Sequence, residues 1–141
     1  MIFLKIALCA VLLLQPSSTR WKPFSALSKV TLSYDLTRVK KVNNTISVWI
    51  KIEPSIDTLE DVRLRFAREY RNAKFINFTH IIQSWEYDCA AKRVRTTGFY
   101  YYGGQDVIDS KVFDSAKWEA VIPESSGEIL MDILCNKPTD K

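Results

Sequence analysis

The sequence predicts an α+β domain, an antiparallel sheet with a terminal helix packed on one face. Three observations carry that prediction. Apolar and polar residues alternate with period two in several segments between Val30 and Phe113, the pattern of half-buried strands. A capped, amphipathic helical pattern closes the chain at Ser125–Cys135, and strands followed by one terminal helix segregate as α+β. A length of 141 residues leaves room for one domain and little else.

The chain opens MIFLKIALCAVLLLQPSSTR, with one early lysine, an apolar run from Ile6 to Leu14, then Pro16 and small polar residues. That order reads as a secretory signal peptide over residues 1–19, with cleavage expected between Ser17 and Arg20 and the domain occupying 20–141. Nine consecutive apolar residues fall short of the roughly 20 that a spanning helix needs, so no membrane span is expected once the leader is gone. Cys9 lies within the apolar run after Leu8, where a bacterial lipobox would have a small residue and the run already ended, so a lipid anchor is not expected.

Val30, Leu32, Tyr34 and Leu36 alternate with Thr31, Ser33 and Asp35, which makes a first strand. After the turn KKVNN, Ile46, Val48, Ile50 and Ile52 alternate with Thr45, Ser47, Trp49 and Lys51, a second strand paired to the first. Trp49 falls opposite the aliphatics, so either the sheet is covered on both sides or Trp49 lies at the surface. Pro54 ends the strand and Asp57 caps a helix over 57–72, with Glu60 three residues on. Leu59, Val62, Phe66, Tyr70 and Ala73 form its apolar stripe, and Asp61 and Arg65 an i,i+4 ion pair. FINFTHIIQSWEYDC, residues 75–89, reads as one strand whose apolar phase slips by a residue, as a bulge or bend produces. In the next strand Arg93, Arg95, Thr97, Phe99 and Tyr101 alternate with Val94, Thr96, Gly98, Tyr100 and Tyr102. Gly103-Gly104 turns the chain and DVIDSKVF returns it. In the terminal helix Ser125 and Glu128 form a capping box, and Ile129, Leu130, Ile133 and Leu134 supply the apolar face.

Removing the leader leaves Cys89 and Cys135, an even count in an exported chain, and such a pair is expected to be a disulfide. A bridged sulfur is no nucleophile. The single histidine, His80, lies nine residues before Cys89 on one predicted strand, nearly 30 Å away at about 3.3 Å per residue. One histidine and two bridged cysteines do not fill a zinc shell, so neither a metal nor another cofactor is expected. Asp88, Glu119 and Glu124 read as solvated acids and Glu128 as a cap, so the chain is read as non-catalytic. The net charge of +4 is only mildly basic and does not require nucleic acid. RTTGFYYY matches the stacking strand of an RNA-binding sheet only in part, and nucleic acid is not an expected partner.

Several pieces recur in a distinctive order: Trp21, Tyr34-Asp35, Val48-Trp49-Ile50-Lys51, Trp85-Glu86-Tyr87-Asp88-Cys89, Arg93-Val94-Arg95 and the Tyr-Tyr-Gly-Gly turn. Trp118, Val121-Ile122-Pro123, Ser126-Gly127-Glu128 and Cys135 complete the set. Together they resemble the surface-adhesin protein E family of bacterial exported proteins over nearly all of the chain beyond the leader. The resemblance implies a single antiparallel sheet of about six strands, with the C-terminal helix tied to it by Cys89–Cys135. The family name implies adhesion at the host surface. This chain departs from the family in lacking an evident lipobox and in the length of the 57–72 helix.

The expected function is that of an exported, non-catalytic binding module, contacting a protein of the host surface or of the cell envelope. The second reading is a soluble periplasmic accessory subunit of an envelope assembly. Arg93, Arg95, Phe99 and Tyr101, taken to share one open strand face, are the candidate binding surface, because arginine and tyrosine are enriched at interface hot spots.

Overall fold

A computed structural model describes residues 20–136. The leader expected over 1–19, Cys9 included, lies outside the described residues. Alternating sequence becomes sheet as expected. β1 (Trp21–Leu27), β2 (Val30–Asp35), β4 (Thr45–Pro54), β5 (His80–Asp88), β6 (Arg93–Gly103) and β7 (Asp106–Val112) lie side by side in that order, every neighbour antiparallel. The short strands β3 (Lys40–Val42) and β8 (Glu119–Ala120) add to β4 and β6. Asn43, with φ of 56°, forms the tight β3–β4 turn that the Asn-Asn pair foreshadowed.

Two helices, α1 (Ile56–Glu69) and α2 (Ser126–Cys135), pack on the same face of this sheet. Ile46, Val48, Ile50, Tyr34 and Tyr87 point to that face and are closed over by Leu130, Met131 and Leu134 of α2. Full burial of a side chain such as Leu130 contributes about 1.5–3 kcal/mol. The buried stripe of α2 is Leu130, Met131 and Leu134 rather than the one expected, because Ile129 turns outward and is 43% exposed. Its cap is as predicted on one side, Ser125 Oγ accepting from Glu128 N at 3.2 Å, while the Glu128 carboxylate takes the Glu124 N–H at 3.2 Å. Cys89 and Cys135 are disulfide-bonded, their Cα atoms 5.8 Å apart, which ties the end of α2 to the end of β5. Tyr87 donates its hydroxyl to the Gly127 carbonyl at 2.9 Å and pins the start of the same helix.

Helix α1 begins one residue before the predicted cap. Ser55 occupies the cap position, its hydroxyl 2.9 Å from that of Thr58, and Asp57 lies inside the first turn. Asp61 and Arg65 do not pair. Arg65 lies over the Phe66 ring at 5.5 Å, and Arg63 pairs with Glu60 at 3.6 Å. Phe66 inserts among Phe75, Phe78 and Tyr101, with ring centroids 5.7, 5.2 and 5.9 Å away. Residues 75–89 are not one strand: Ala73–Asn77 is a short 3-10 turn that buries Phe75, and β5 starts at His80. The apparent phase slip joins those two conformations, since β5 holds an unbroken register against β4 from Ile81 to Asp88.

Candidate binding face

With both helices on one side, the opposite face of the sheet is uncovered, and β6 decides which side chains it displays. Against β5 the register runs from His80↔Tyr102 to Ser84↔Gly98, then resumes at Trp85↔Thr96. Thr97 is the extra residue of a β-bulge, and the side-chain alternation inverts across it. Its hydroxyl lies 2.6 Å from the Ser84 hydroxyl and donates to the Ser84 carbonyl at 3.2 Å. A Cβ at Gly98, next in line, would stand 3.2 Å from Ser84 Oγ and from the Tyr100 ring, so glycine suits the close approach.

The bulge separates the four residues predicted to share a face. Arg93 and Arg95 oppose Asp88 and Glu86 on the uncovered side. Phe99 and Tyr101, beyond the bulge, turn to the helix side: Tyr101 packs against Phe66 and Phe75, and Phe99 against Phe113 at 5.4 Å. Their places outside go to Tyr100 and Tyr102, which the simple alternation had assigned inward.

Aromatic rings dominate the uncovered face. Trp49 leans on Tyr100 with centroids 5.6 Å apart, and His80 stacks on Tyr102 at 4.9 Å with planes 6° apart. Trp21 carries Lys51 Nζ at 5.0 Å and the Arg20 guanidinium at 5.4 Å, and Trp118 carries Arg95 at 4.3 Å. Trp49 is thus a surface residue, which settles the alternative left open by its phase. Two hollows of about 430 and 420 Å³ flank the Trp49–Tyr100 pair. The first is lined by Ser47, Ser84, Glu86 and Arg95, the second by Trp21, Asp35, His80 and Tyr102.

Each cation beside these rings is matched. Arg95 meets Glu86 at 2.7 Å, Arg93 meets Asp88 at 3.5 Å, and Lys51 meets Glu53 at 3.4 Å. Arg20 meets the buried Asp35 at 2.8 Å, with Arg38 at 3.9 Å from the same carboxylate. Burial by itself would push the Asp35 carboxyl up, but hydrogen bonds from the Thr37 hydroxyl, Arg20 and the Thr37 N–H outweigh it and hold the group below its usual value. Asp88 is held low chiefly by the Ala91 N–H at 3.0 Å, and so serves the β5–β6 turn. Burial pushes His80 below its ordinary value, and Lys51 acts in the same direction against the weaker pull of Glu53. Its Nδ1 engages the Thr79 hydroxyl at 2.8 Å, and its ring faces Tyr102 at the opposite end of β5 from Cys89.

Among the described residues no three of His, Cys, Asp and Glu gather where a metal could be held, and no helix is long and apolar enough to cross a membrane. The geometry offers a rigid display of rings and hydrogen-bonding groups. The sequence model of surface-adhesin protein E matches residues 21–136, from the first strand to the residue after Cys135. The chain belongs to the surface-adhesin protein E family. No curated protein and no solved structure matches it. The matched span starts at Trp21 and so includes every described strand, both helices and, Arg20 apart, the uncovered face of this adhesin-E domain.

Proposed function

We propose that this adhesin-E domain is an exported, non-catalytic binding module, directed out of the cell by the leader over 1–19 and contacting a protein partner at or near the bacterial cell surface. The observation that carries the reading is the uncovered sheet face, where Trp49 and Tyr100 lean on each other and Trp21 and Trp118 carry the cations of Lys51, Arg20 and Arg95, with no helix over them. An ordinary single-sheet domain turns polar side chains to water on that face. Aromatic and arginine side chains preorganised at a surface are the usual anchors of protein recognition. Arg93 and Arg95 keep the role expected of them, while Phe99 and Tyr101 support the fold from beneath. Family membership supports the adhesin character and the surface location.

The test is binding of the purified protein to intact host cells and to isolated envelopes of the producing cell. Trp49→Ala and Arg95→Ala should each weaken attachment at least about tenfold, and Leu64→Ala, on the outer side of α1, should leave it unchanged. Attachment indifferent to Trp49 and Arg95 would remove the face from consideration. Protease digestion of intact producing cells distinguishes a surface module, which is cut, from a shielded periplasmic subunit.

A further inference from the structure

Resting on the binding-module reading, we propose that the uncovered face grips its partner through an uncharged glycan chain carried by that partner, laid across the Trp49–Tyr100 pair with sugar rings in the two flanking hollows. Three features of the face favour a sugar over a polypeptide or a polyanion.

Charge is the first. Five cations of the face are ion-paired against four carboxylates, and Lys40, opposite Ser47, is the outward strand cation without such a partner among the described residues. A polyanion needs unpaired cations to displace its counterions, and here all of them but Lys40 would first have to be taken from a carboxylate. A neutral partner leaves those pairs in place.

Apolar character is the second. At the outward positions of β4, β5 and β6, Ile82 is the only aliphatic residue, joined at the edge of the first hollow by the exposed Val112 of β7; the other apolar side chains at those positions are aromatic. Protein anchors need a desolvated pocket for a bulky side chain, whereas a pyranose presents a flat C–H face that matches an aromatic ring. The hollows at Trp49 and Tyr100 are open troughs on a sheet, not enclosed pockets.

Hydrogen bonding is the third. A sugar hydroxyl donates and accepts at once. Around the rings, donors and acceptors alternate at short range: Arg95 beside Glu86, and Ser84 beside Thr97. These groups are already oriented by one another, so a bound sugar would order little that is not ordered before it arrives.

Intrinsic tryptophan fluorescence of the purified protein, titrated with chitotetraose, cellopentaose and maltopentaose, reads the event directly because Trp49 floors the site. At least one sugar should give a saturable change, at least about tenfold weaker in Trp49→Ala, and it should shift less than about twofold between low and high salt. Glu86→Gln keeps side-chain volume while removing an ionised acceptor, and should weaken binding with an unchanged far-ultraviolet circular dichroism spectrum. Enzymatic removal of surface glycans should abolish attachment to target cells. Attachment that survives deglycosylation, or silence toward all three sugars at millimolar concentration, overturns the glycan proposal and leaves the binding module standing. Steeply salt-dependent binding to heparin without response to neutral sugars also overturns it. Failure to attach to cells before any deglycosylation sinks the underlying reading as well.

Discussion

Tyr100 and Tyr101, adjacent in β6, face opposite sides of the sheet: Tyr101 meets Phe66 of α1 at 5.9 Å, and Tyr100 meets Trp49 on the uncovered face at 5.6 Å. One strand thus supplies the helix side and the uncovered face with successive residues. Tyr101 also lies 5.4 Å from the buried Phe75, and burial raises its phenol pKa well above the ordinary value, with a further rise from the Tyr70 hydroxyl at 3.2 Å. Tyr101→Ala should cost about 2–3 kcal/mol, below the range for a fully buried ring because the side chain is only partly buried. Tyr100→Ala should cost about 1 kcal/mol, the worth of one ring pair, while abolishing attachment. Urea unfolding of the two variants measures the difference; equal losses would contradict the placement.

Thr97 is the residue that the β5–β6 ladder carries in excess. Deleting it would close the bulge and leave Gly98 opposite Ser84 and Thr96 opposite Trp85 in one regular ladder, with Arg93 and Arg95 still on the side of Tyr100 and Tyr102. The deletion variant should therefore still unfold cooperatively and keep its attachment. Thr97→Val keeps the extra residue and loses only the hydroxyl contacts to Ser84, so it should fold with a penalty of about 1 kcal/mol. A deletion variant that fails to fold would show that Thr97 is not simply the extra residue of the ladder.

This bulge is also where the sequence stops being legible. Period-two alternation identified β2, β4, β5, β6 and β7, the Ser125 cap located α2, and counting cysteines paired Cys89 with Cys135. Those signals are local, or forced by number. An unbroken Arg-Val-Arg-Thr-Thr-Gly-Phe-Tyr-Tyr-Tyr run holds no mark of an inserted residue, because every side chain in it tolerates either face. Gly98 was the available hint, since glycine inside a strand often attends a bulge. β1 was missed because Pro23 and the register shift after it destroy its alternation, and with β1 went Trp21 as part of the face. The start of β5 was overextended because aromatic, β-prone residues such as Phe75 and Phe78 serve a buried 3-10 turn equally well.

The bridge between Cys89 and Cys135 spans a sequence separation of 46. Closing a loop of that size stabilises the domain by about 4 kcal/mol in the chain-entropy model. Both attachments of α2 to β5, the disulfide and the Tyr87–Gly127 hydrogen bond, lie on the helix side. Cys135→Ser should therefore lower the melting temperature by more than about 10 °C. Attachment measured well below the new transition should survive, because no residue of the uncovered face touches the bridge. Loss of attachment at full folding would mean that α2 takes part in recognition.

Asp35 sets the acid limit of the β1–β2 corner. Its folded carboxyl titrates lower than in the unfolded chain, so the folded state binds fewer protons and stability is lost as pH falls. The contribution is complete above about pH 4, the unfolded value, and disappears as pH drops through the lower folded one. Asp35→Asn keeps the shape but loses the charge that draws in Arg20, and should cost about 1–2 kcal/mol at neutral pH. Below the folded value the wild-type and variant melting curves should converge. Curves that stay parallel down to pH 2 would mean that the carboxylate contributes nothing through its charge.

His80 acts in a different window with the same sign. Its folded value lies below the ordinary one, so at mildly acid pH the unfolded chain takes up a proton that the folded chain refuses. Stability should be full above about pH 6.5 and should decline as pH falls from there through the folded value. His80→Phe preserves the 6° stack on Tyr102 without titrating, and should flatten that decline. Lys51→Met removes the neighbouring cation and should raise the His80 midpoint, although burial will keep it below that of a free imidazole. Proton NMR of the single imidazole reads the midpoint directly. A value above 6.5 would place His80 in water beside a carboxylate, and would be incompatible with its packing on the floor of the second hollow.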